Sequence, residues 1–339
     1  MNIADMRISR LGFGTWAIGG DGWHSTWGTT DDADSVAAIR RAVGNGVNWI
    51  DTAAVYGLGH AEEILARALA GLPASERPYV FTKAGLVWDE EHPSAPARRI
   101  MRPDSVRREV EASLRRLRVE TIDLYQVHWP DDGGAESRAT TGVPAERVTP
   151  IEEYWQVMAD LKAEGKVRAI GLSNHGPALL TAAEAIAHVD AVQPAFSAIN
   201  RSAAPDIAWA AEHGTAVIAY SPMQSGLLGG TFSRQRIATL AEDDWRRDSP
   251  DFTDHLDRNL AVAEALRDVA ERHGTTVASA AIAWALAWPG VTATIVGART
   301  PEQVDGWSDA DRITLSTEDI ATVTTVLQTT GAGTGPVTP

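Results

Sequence analysis

Residues 47–57 read VNWIDTAAVYG. Val47, Trp49 and Ile50 form a short apolar run that stops at Asp51, and Tyr56 follows five residues later, ahead of Gly57 and Gly59. A run this short, closed by a turn, reads as a buried strand. In isolation Asp51 reads as a turn residue that bonds its own backbone, with Tyr56 packed over it. The rest of the chain changes the weight of that reading.

Short apolar stretches alternate with helical ones along nearly the whole chain. Helices are expected at 32–44, 60–70, 104–118, 151–164, 177–187, 204–213, 257–273 and 276–288, with two more near 301–308 and 317–328. Strands are expected at 47–51, 79–83, 122–128, 167–172, 191–194, 216–220 and 292–297. Strands apolar on both faces and separated by helices imply a parallel sheet covered by helices. With the Gly-rich opening segment as the first strand, eight βα units favour a closed (β/α)8 TIM barrel, an α/β fold, over an open sheet. No linker interrupts the pattern. We expect one domain over 1–330 with long loops at 130–150 and 223–256 on the C-terminal face, then a low-complexity tail, 331–339, that is disordered.

In such a barrel the C-terminal ends of the strands face one mouth, where active sites form. Here those ends are Asp51, Lys83 in YVFTK, His128 in IDLYQVHWP, Ser173-Asn174, Gln193 and Tyr220-Ser221. A single lysine there would be an ordinary turn residue; a ring of unlike ionisable groups is not. Tyr56, with an ordinary pKa of about 10, holds its proton at neutral pH. A nearby Lys83 ammonium is expected to stabilise the phenolate and lower that pKa, with Asp51 keeping Lys83 charged. His128 is placed to donate a hydrogen bond to the same oxygen that Tyr56 addresses. The set suits general acid catalysis on a carbonyl, and it needs a separate hydride donor.

The stretches GFGTWAIGG, VNWIDTAAVYGLGHAEEILARAL, TKAGLVWD, IDLYQVHWP, GKVRAIGLSN, AYSPMQSGLLGG and TIVGARTPEQV, in that order, resemble the aldo-keto reductase superfamily, and most closely its bacterial general-stress and inositol-operon-type branch. The resemblance covers residues 5–310. It implies a (β/α)8 barrel that reduces aldehydes and ketones with NAD(P)H, and a catalytic tetrad of Asp51, Tyr56, Lys83 and His128 with Tyr56 as proton donor. It further implies nicotinamide carboxamide contacts from Ser173, Asn174 and Gln193, and ring stacking on Tyr220. Ser221, Gln224 and Gly226 match the pyrophosphate loop, while Gly297, Arg299 and Gln303 match the adenosine 2′-phosphate end; Trp16 joins the cofactor contacts. A guanidinium matches phosphate oxygens, so Arg299 favours NADPH over NADH. Gly306 and Trp307 stand where relatives carry Glu-Asn, the Asn contacting adenine; Trp307 either stacks near adenine or packs in its helix. Loop 130–150 is longer than in close relatives and is expected to reshape the substrate entrance.

Other signals are weaker. Gly12-Phe13-Gly14-Thr15-Trp16-Ala17 fits a dinucleotide fingerprint, but IGGDGWHSTWG follows where a helix is required. His24, His60, His92, His128 and His175 lack metal-ligand spacing, so no metal is expected; His24 and His175 read as polar loop residues near the mouth. Of twelve tryptophans, Trp49, Trp155, Trp209 and Trp284 read as core. Trp23, Trp88 and Trp129 are candidate walls of an apolar substrate pocket, with Trp27 near them.

The absence of cysteine excludes disulfides and thiolate sites. A net charge of −15 argues against nucleic acid as a partner, and Arg107, Arg108, Arg115, Arg116 and Arg118 read as a solvated helix face. The N-terminus lacks an apolar signal core and no run reaches membrane-spanning length, so a cytoplasmic protein with a small carbonyl substrate and no membrane partner is expected. The oligomeric state is left open. Two other functions compete: a nucleotide-binding regulatory subunit with little turnover, and a Schiff-base lyase using Lys83, which would leave the GLSN, AYSPMQSG and GARTPEQ stretches without a purpose.

Overall fold

A computed structural model describes residues 2–138, 142–241 and 244–338. Its centre is a closed parallel barrel. The strands are β1 (Leu11–Gly14), β2 (Trp49–Asp51), β3 (Tyr79–Ala84), β4 (Ile122–Val127), β5 (Val167–Ser173), β6 (Ala191–Gln193), β7 (Ala216–Ala219) and β8 (Ala293–Gly297). They pair in chain order, and β8 closes on β1 through Ile295 opposite Gly12 and Gly297 opposite Gly14.

Among the described residues, ten helices follow the strands or flank the barrel, apart from a short one in the long loop at Arg234–Ala238. They are α1 (Asp32–Gly44), α2 (His60–Ala70), α3 (Pro103–Leu117), α4 (Ile151–Ala163), α5 (Pro177–Glu184), α6 (Ala204–His213), α7 (Leu256–His273), α8 (Val277–Ala287), α9 (Pro301–Asp305) and α10 (Thr317–Thr330). Local chemistry sets their ends. The Asp31 carboxylate accepts from the Ala33 and Asp34 amides to start α1, while left-handed Gly214, Gly274 and Gly331 end α6, α7 and α10. The expected helix 177–187 ends earlier, at Glu184, and that near 301–308 ends at Asp305. The GxGxxA match lies in β1 and a single 3-10 turn; the next helix starts only at Asp32.

The two-residue period of a strand explains how the barrel builds its mouth. Trp49, Phe81, Leu124, Ala191, Ile218 and Ile295 pack together in the inner core. Two residues further along the same strands stand Asp51, Lys83, Gln126, Gln193, Tyr220 and Gly297. Gly12 belongs here for a steric reason, since a side chain on it would collide with the Trp49 indole. Below this layer Ile3, Met6 and Ile8 join the inner core from an N-terminal hairpin, Asn2–Ile3 paired with Met6–Arg7. The alternation of apolar stretches does not announce that hairpin, whose strands are only two residues long.

Two expectations differ from the structure, and one reading left open is resolved. Instead of being disordered, tail residues 331–338 run back onto the barrel: Ala332 is buried and Thr334 bridges to Asn200. The cause is Arg201, a buried guanidinium that donates to the carbonyls of Ala332, Gly335 and Pro336. Residue 339 lies outside the described residues. The arginine face of α3 is only partly solvated, because Arg116 turns inward to the buried Glu62, 2.6 Å away. Trp307, for which adenine stacking and helix packing are both open in the sequence, is a buried core residue. Of the two long loops, residues 139–141 and 242–243 fall outside the described residues; Glu136 and Ser137 from the first, and Ser225, Gly226, Phe232, Arg236 and Arg246 from the second, line the mouth.

Candidate active site

The polar side chains at the floor of the mouth are aimed by the strands that carry them. Asp51 is the last residue of β2 and faces inward like Trp49. Lys83, on β3, donates to Asp51 Oδ1 and, at 2.9 Å, to the Thr52 carbonyl. Both side chains are buried. The second carboxylate oxygen, Oδ2, accepts from Gln193 Nε2 at 2.8 Å and from Gln126 Nε2 at 3.2 Å. Gln193 Nε2 also reaches Gln126 Oε1, at 3.0 Å. Asp51 therefore meets a cation and two amide donors, which is what a buried carboxylate requires.

Tyr56 sits above this base. After β2 the backbone turns so that the Tyr56 amide donates to the Ala53 carbonyl at 3.1 Å. Gly57 then takes a left-handed φ of 60°, and a side chain there would strike the Gly19 carbonyl. The turn leaves the Tyr56 ring centre 5.2 Å from Lys83 Nζ. The His128 imidazole lies edge-on to that ring, centroids 5.7 Å apart, and Trp23 flanks it at 6.2 Å. Asp51, Tyr56, Lys83 and His128 thus form one constellation although Asp51 and His128 are 77 positions apart in the chain.

The electrostatics correct one expectation. The net Tyr56 pKa is not lowered: burial, and next the Asp51 charge, outweigh Lys83 and hold the phenol well above its ordinary value. The ammonium is engaged with Asp51, and burial pulls Lys83 itself below the usual lysine range while Asp51 pulls it back. His128 is held well below the usual imidazole pKa by burial and by the charges of Lys83 and Arg99. The constellation at neutral pH is a protonated phenol beside a neutral imidazole, two groups able to donate hydrogen bonds.

Around it opens a cavity of about 870 Å³. Trp16, Ser173, Asn174, Gln193, Tyr220, Ser221, Gly226, Gly297, Arg299 and Gln303 all line it, and so do Trp23, Trp88 and Trp129. Gln224 does not. Its amide is used as a brace, donating to Asp251 Oδ2 at 2.8 Å and accepting from Ser197 Oγ at 3.1 Å. Lys83 lies beneath the cavity rather than on its wall.

The lining is held firmly where a dinucleotide would rest. Asn174 has a left-handed φ of 62°, fixed by bonds from its amide to the His128 carbonyl at 3.0 Å and from the Tyr220 hydroxyl at 2.8 Å. Next to it, the His175 imidazole donates from Nδ1 to the Ser173 carbonyl at 2.7 Å, which leaves Nε2 to accept from the Tyr154 hydroxyl at 3.0 Å. Burial takes the His175 pKa down to about 4, so the ring stays neutral. Ser221, Gln224, Ser225 and Gly226 all have positive φ, the kind of local winding that turns backbone amides into an anion-binding concavity. Arg299 donates to the Trp27 carbonyl at 3.0 Å and is pulled below the usual arginine pKa by burial and by the neighbouring Arg246 charge. Arg246 is paired with Asp244 at 2.5 Å, so Arg299 is the uncompensated one of these two cations at this end of the cavity; with Trp27 Nε1 buried there and unpaired, it fits a phosphate-bearing ligand.

Sequence reasoning missed four contributors. Gln126 could have been found from strand parity, as a polar residue at an inward position of an apolar strand. Arg246 and Arg236 reach the cavity from loop 223–256, and Arg99 from a hairpin pairing Leu86–Val87 with Arg98–Arg99. Their placement depends on loop conformation, which leaves no periodic signal. Among the described residues no group of three or more metal-ligating side chains is gathered, and no helix is long and apolar enough to cross a membrane.

Comparisons with known proteins agree with this architecture. The Aldo/keto reductase family model matches residues 10–328. The aldo-keto reductase YhdN of Bacillus subtilis is 34% identical, covering 97% of this chain and 93% of its own. The NADH-specific methylglyoxal reductase of Escherichia coli is 32% identical, covering 94% of each chain. The structure of the glycerol dehydrogenase AKR11B4 from Gluconobacter oxydans superposes with a TM-score of 0.84 at 37% identity, over 98% of this chain and 95% of that one. A closed eight-stranded barrel carrying these motifs in order, matched over nearly its whole length, places the chain in the aldo/keto reductase family, as an NAD(P)H-dependent oxidoreductase.

Proposed function

We propose that the protein reduces an aldehyde or ketone to an alcohol with NADPH, reversibly, and that Tyr56 supplies the proton. One observation carries the reading: a protonated Tyr56 and a neutral His128 stand side by side on a buried Asp51–Lys83 base at the floor of a cavity that fits a dinucleotide. Trp16, Ser173, Asn174, Tyr220, Ser221, Gly226, Gly297, Arg299 and Gln303 are the residues that would hold the cofactor. Gln193 joins them while also bracing Asp51. The dinucleotide supplies the hydride when bound. His128 orients the carbonyl oxygen by hydrogen bonding, and Tyr56 donates its proton to that oxygen as negative charge develops there. Lys83 then lies where its charge stabilises the phenolate left behind, and Asp51, Gln126 and Gln193 keep Lys83 in place.

Arg299, whose side chain bonds only a backbone carbonyl among the described residues, supports NADPH as the preferred cofactor, because a guanidinium matches the oxygens of a 2′-phosphate. An NADH-specific relative at 32% identity makes this preference the property to measure first. The test is loss of NADPH absorbance with a panel of aldehydes and ketones. Tyr56→Phe should lower kcat by about 10²–10⁴ while NADPH still binds. Full turnover in that variant would remove Tyr56 from its role. Tight, slowly released NADPH with no carbonyl turned over would instead favour a regulatory subunit.

A further inference from the structure

We propose that Arg99 and Glu136 form a hydroxyl-binding subsite beside His128, so that the substrate is a carbonyl compound carrying hydroxyl groups on the neighbouring carbons; this rests on the reductase reading above. Both side chains line the same cavity as Tyr56 and His128. The Arg99 guanidinium lies over Trp129, 4.3 Å from its ring centre, and Trp129 directly follows His128 in the chain. Arg99 is also near enough for its charge to depress the His128 pKa. A substrate held by its carbonyl at His128 therefore extends across tryptophan surface towards Arg99 and Glu136.

The pair is not needed to fasten the loop that carries Glu136. That loop is already held to the hairpin by Glu146, which takes Arg98 at 2.6 Å and Arg102 at 2.5 Å, and by Asp131, which takes the Met101 amide at 2.6 Å. The Glu136 side chain, 65% exposed, is ion-paired with Arg99. With its carboxylate this exposed, although Arg99 is only 25% exposed, the pair contributes about 1 kcal/mol or less, so a ligand can insert into it at small cost.

Charge decides what the ligand is. Arg99 faces two carboxylates, Glu136 in contact and Asp132 at 4.0 Å, so the subsite holds no excess positive charge for a carboxylate or phosphate. It does offer donors on the guanidinium and acceptors on Glu136, side by side, above aromatic rings. Adjacent hydroxyls need one of each, and the C–H face of a polyol suits the Trp88 indole.

The experiment compares glyceraldehyde, propanal and succinic semialdehyde at saturating NADPH in the wild type, Arg99→Met, Glu136→Ala and the double variant. We expect the ratio of kcat/KM for glyceraldehyde over propanal to fall by about tenfold in each single variant, mainly through KM, as removal of one charge-assisted hydrogen bond implies. The double variant should fall little further, because both groups hold one diol. An unchanged ratio in both single variants overturns the proposal. A wild-type preference for succinic semialdehyde that Arg99→Met abolishes also overturns it, in favour of an anion site. Saturation-transfer NMR of glycerol against propan-1-ol keeps the test independent of turnover. A glycerol signal that disappears in Arg99→Met supports the subsite, and a wild-type glycerol signal no stronger than that of propan-1-ol defeats it. Absence of turnover with every carbonyl would defeat the reductase reading alone.

Discussion

Gln193 Nε2 lies 2.8 Å from Asp51 Oδ2, a hydrogen bond that spans the barrel interior between residues 142 positions apart. It shows that the floor of the cavity is a layer of the barrel rather than a pair of side chains. Four strands contribute to it, since Asp51, Lys83, Gln126 and Gln193 come from β2, β3, β4 and β6.

That arrangement makes the consequences of breaking the ion pair unequal. Lys83→Met leaves Asp51 buried with amide donors alone, and it should cost about 3–5 kcal/mol of stability as well as turnover. Asp51→Asn combined with Lys83→Met removes both charges and should recover most of the stability but none of the turnover. Denaturant midpoints measured beside kcat separate the two effects. A double variant no more stable than Lys83→Met would show that the layer does not act through charge compensation.

Glu109 predicts a pH dependence located outside the tetrad. Its carboxyl accepts from the Gly85 amide at 2.8 Å and from Ser105 Oγ at 3.0 Å, and burial raises its pKa to about 7. Gly85 joins β3 to the hairpin that carries Trp88 and Arg99; its carbonyl accepts from the Ile100 amide at 3.0 Å. A carboxyl whose folded pKa is raised binds more protons folded than unfolded. Its contribution is complete below the unfolded value, near 4.5, and is lost as pH rises towards about 7. Glu109→Gln should flatten that part of the stability curve, read as denaturant midpoint against pH. A curve parallel to wild type across pH 4.5–7 would exclude Glu109 as its source.

His128 works in the opposite direction. Its depressed pKa means the unfolded state binds more protons below about 6.5, so its contribution to stability is lost as pH falls through that region. In catalysis the neutral ring should be required, and His128→Gln, which keeps a neutral donor, should retain more kcat than His128→Ala. Equal activity in the two variants would leave the ring without a hydrogen-bonding role.

Much of this architecture is legible in the residues alone. Alternating apolar strands and helices specify a closed barrel, and strand parity places Asp51 over Trp49 and Lys83 over Phe81. The tetrad is legible for the same reason, since Asp51, Lys83 and His128 sit at strand ends. Arg99, Glu136 and Arg246 are not, because they arrive on loops whose course follows tertiary bonds such as Arg98 with Glu146. The direction of the Tyr56 pKa is hidden as well. Residue types suggest a lysine effect, whereas the packed ring is governed by burial and by Asp51.

The arginines predict how the cofactor is chosen. Arg299 has a backbone carbonyl as its hydrogen-bond partner, whereas Arg246 is paired with Asp244 at 2.5 Å and lies 5.0 Å from the Trp27 ring centre. Arg299→Ala should weaken NADPH binding by about ten- to a hundredfold, the cost of losing a charge-assisted bidentate interaction, and change NADH binding much less. Titration with both dinucleotides, followed by tryptophan fluorescence, reads the difference. Equal weakening of the two would move the Arg299 interaction away from the 2′-phosphate.

The C-terminal tail should be part of the stable fold. Arg201 is buried, and three of its acceptors are the carbonyls of Ala332, Gly335 and Pro336. Burial lowers the Arg201 pKa because it penalises the charged guanidinium. Deleting residues 331–339 removes those acceptors, and Arg201→Met removes the donor while leaving the tail in place. Each should lower stability by about 1–3 kcal/mol, the cost of polar groups left unpaired. Combined, the two changes should cost less than their sum, because the second removes a group the first has already stranded. Strict additivity of the two denaturant shifts would mean that the tail and Arg201 stabilise the barrel independently.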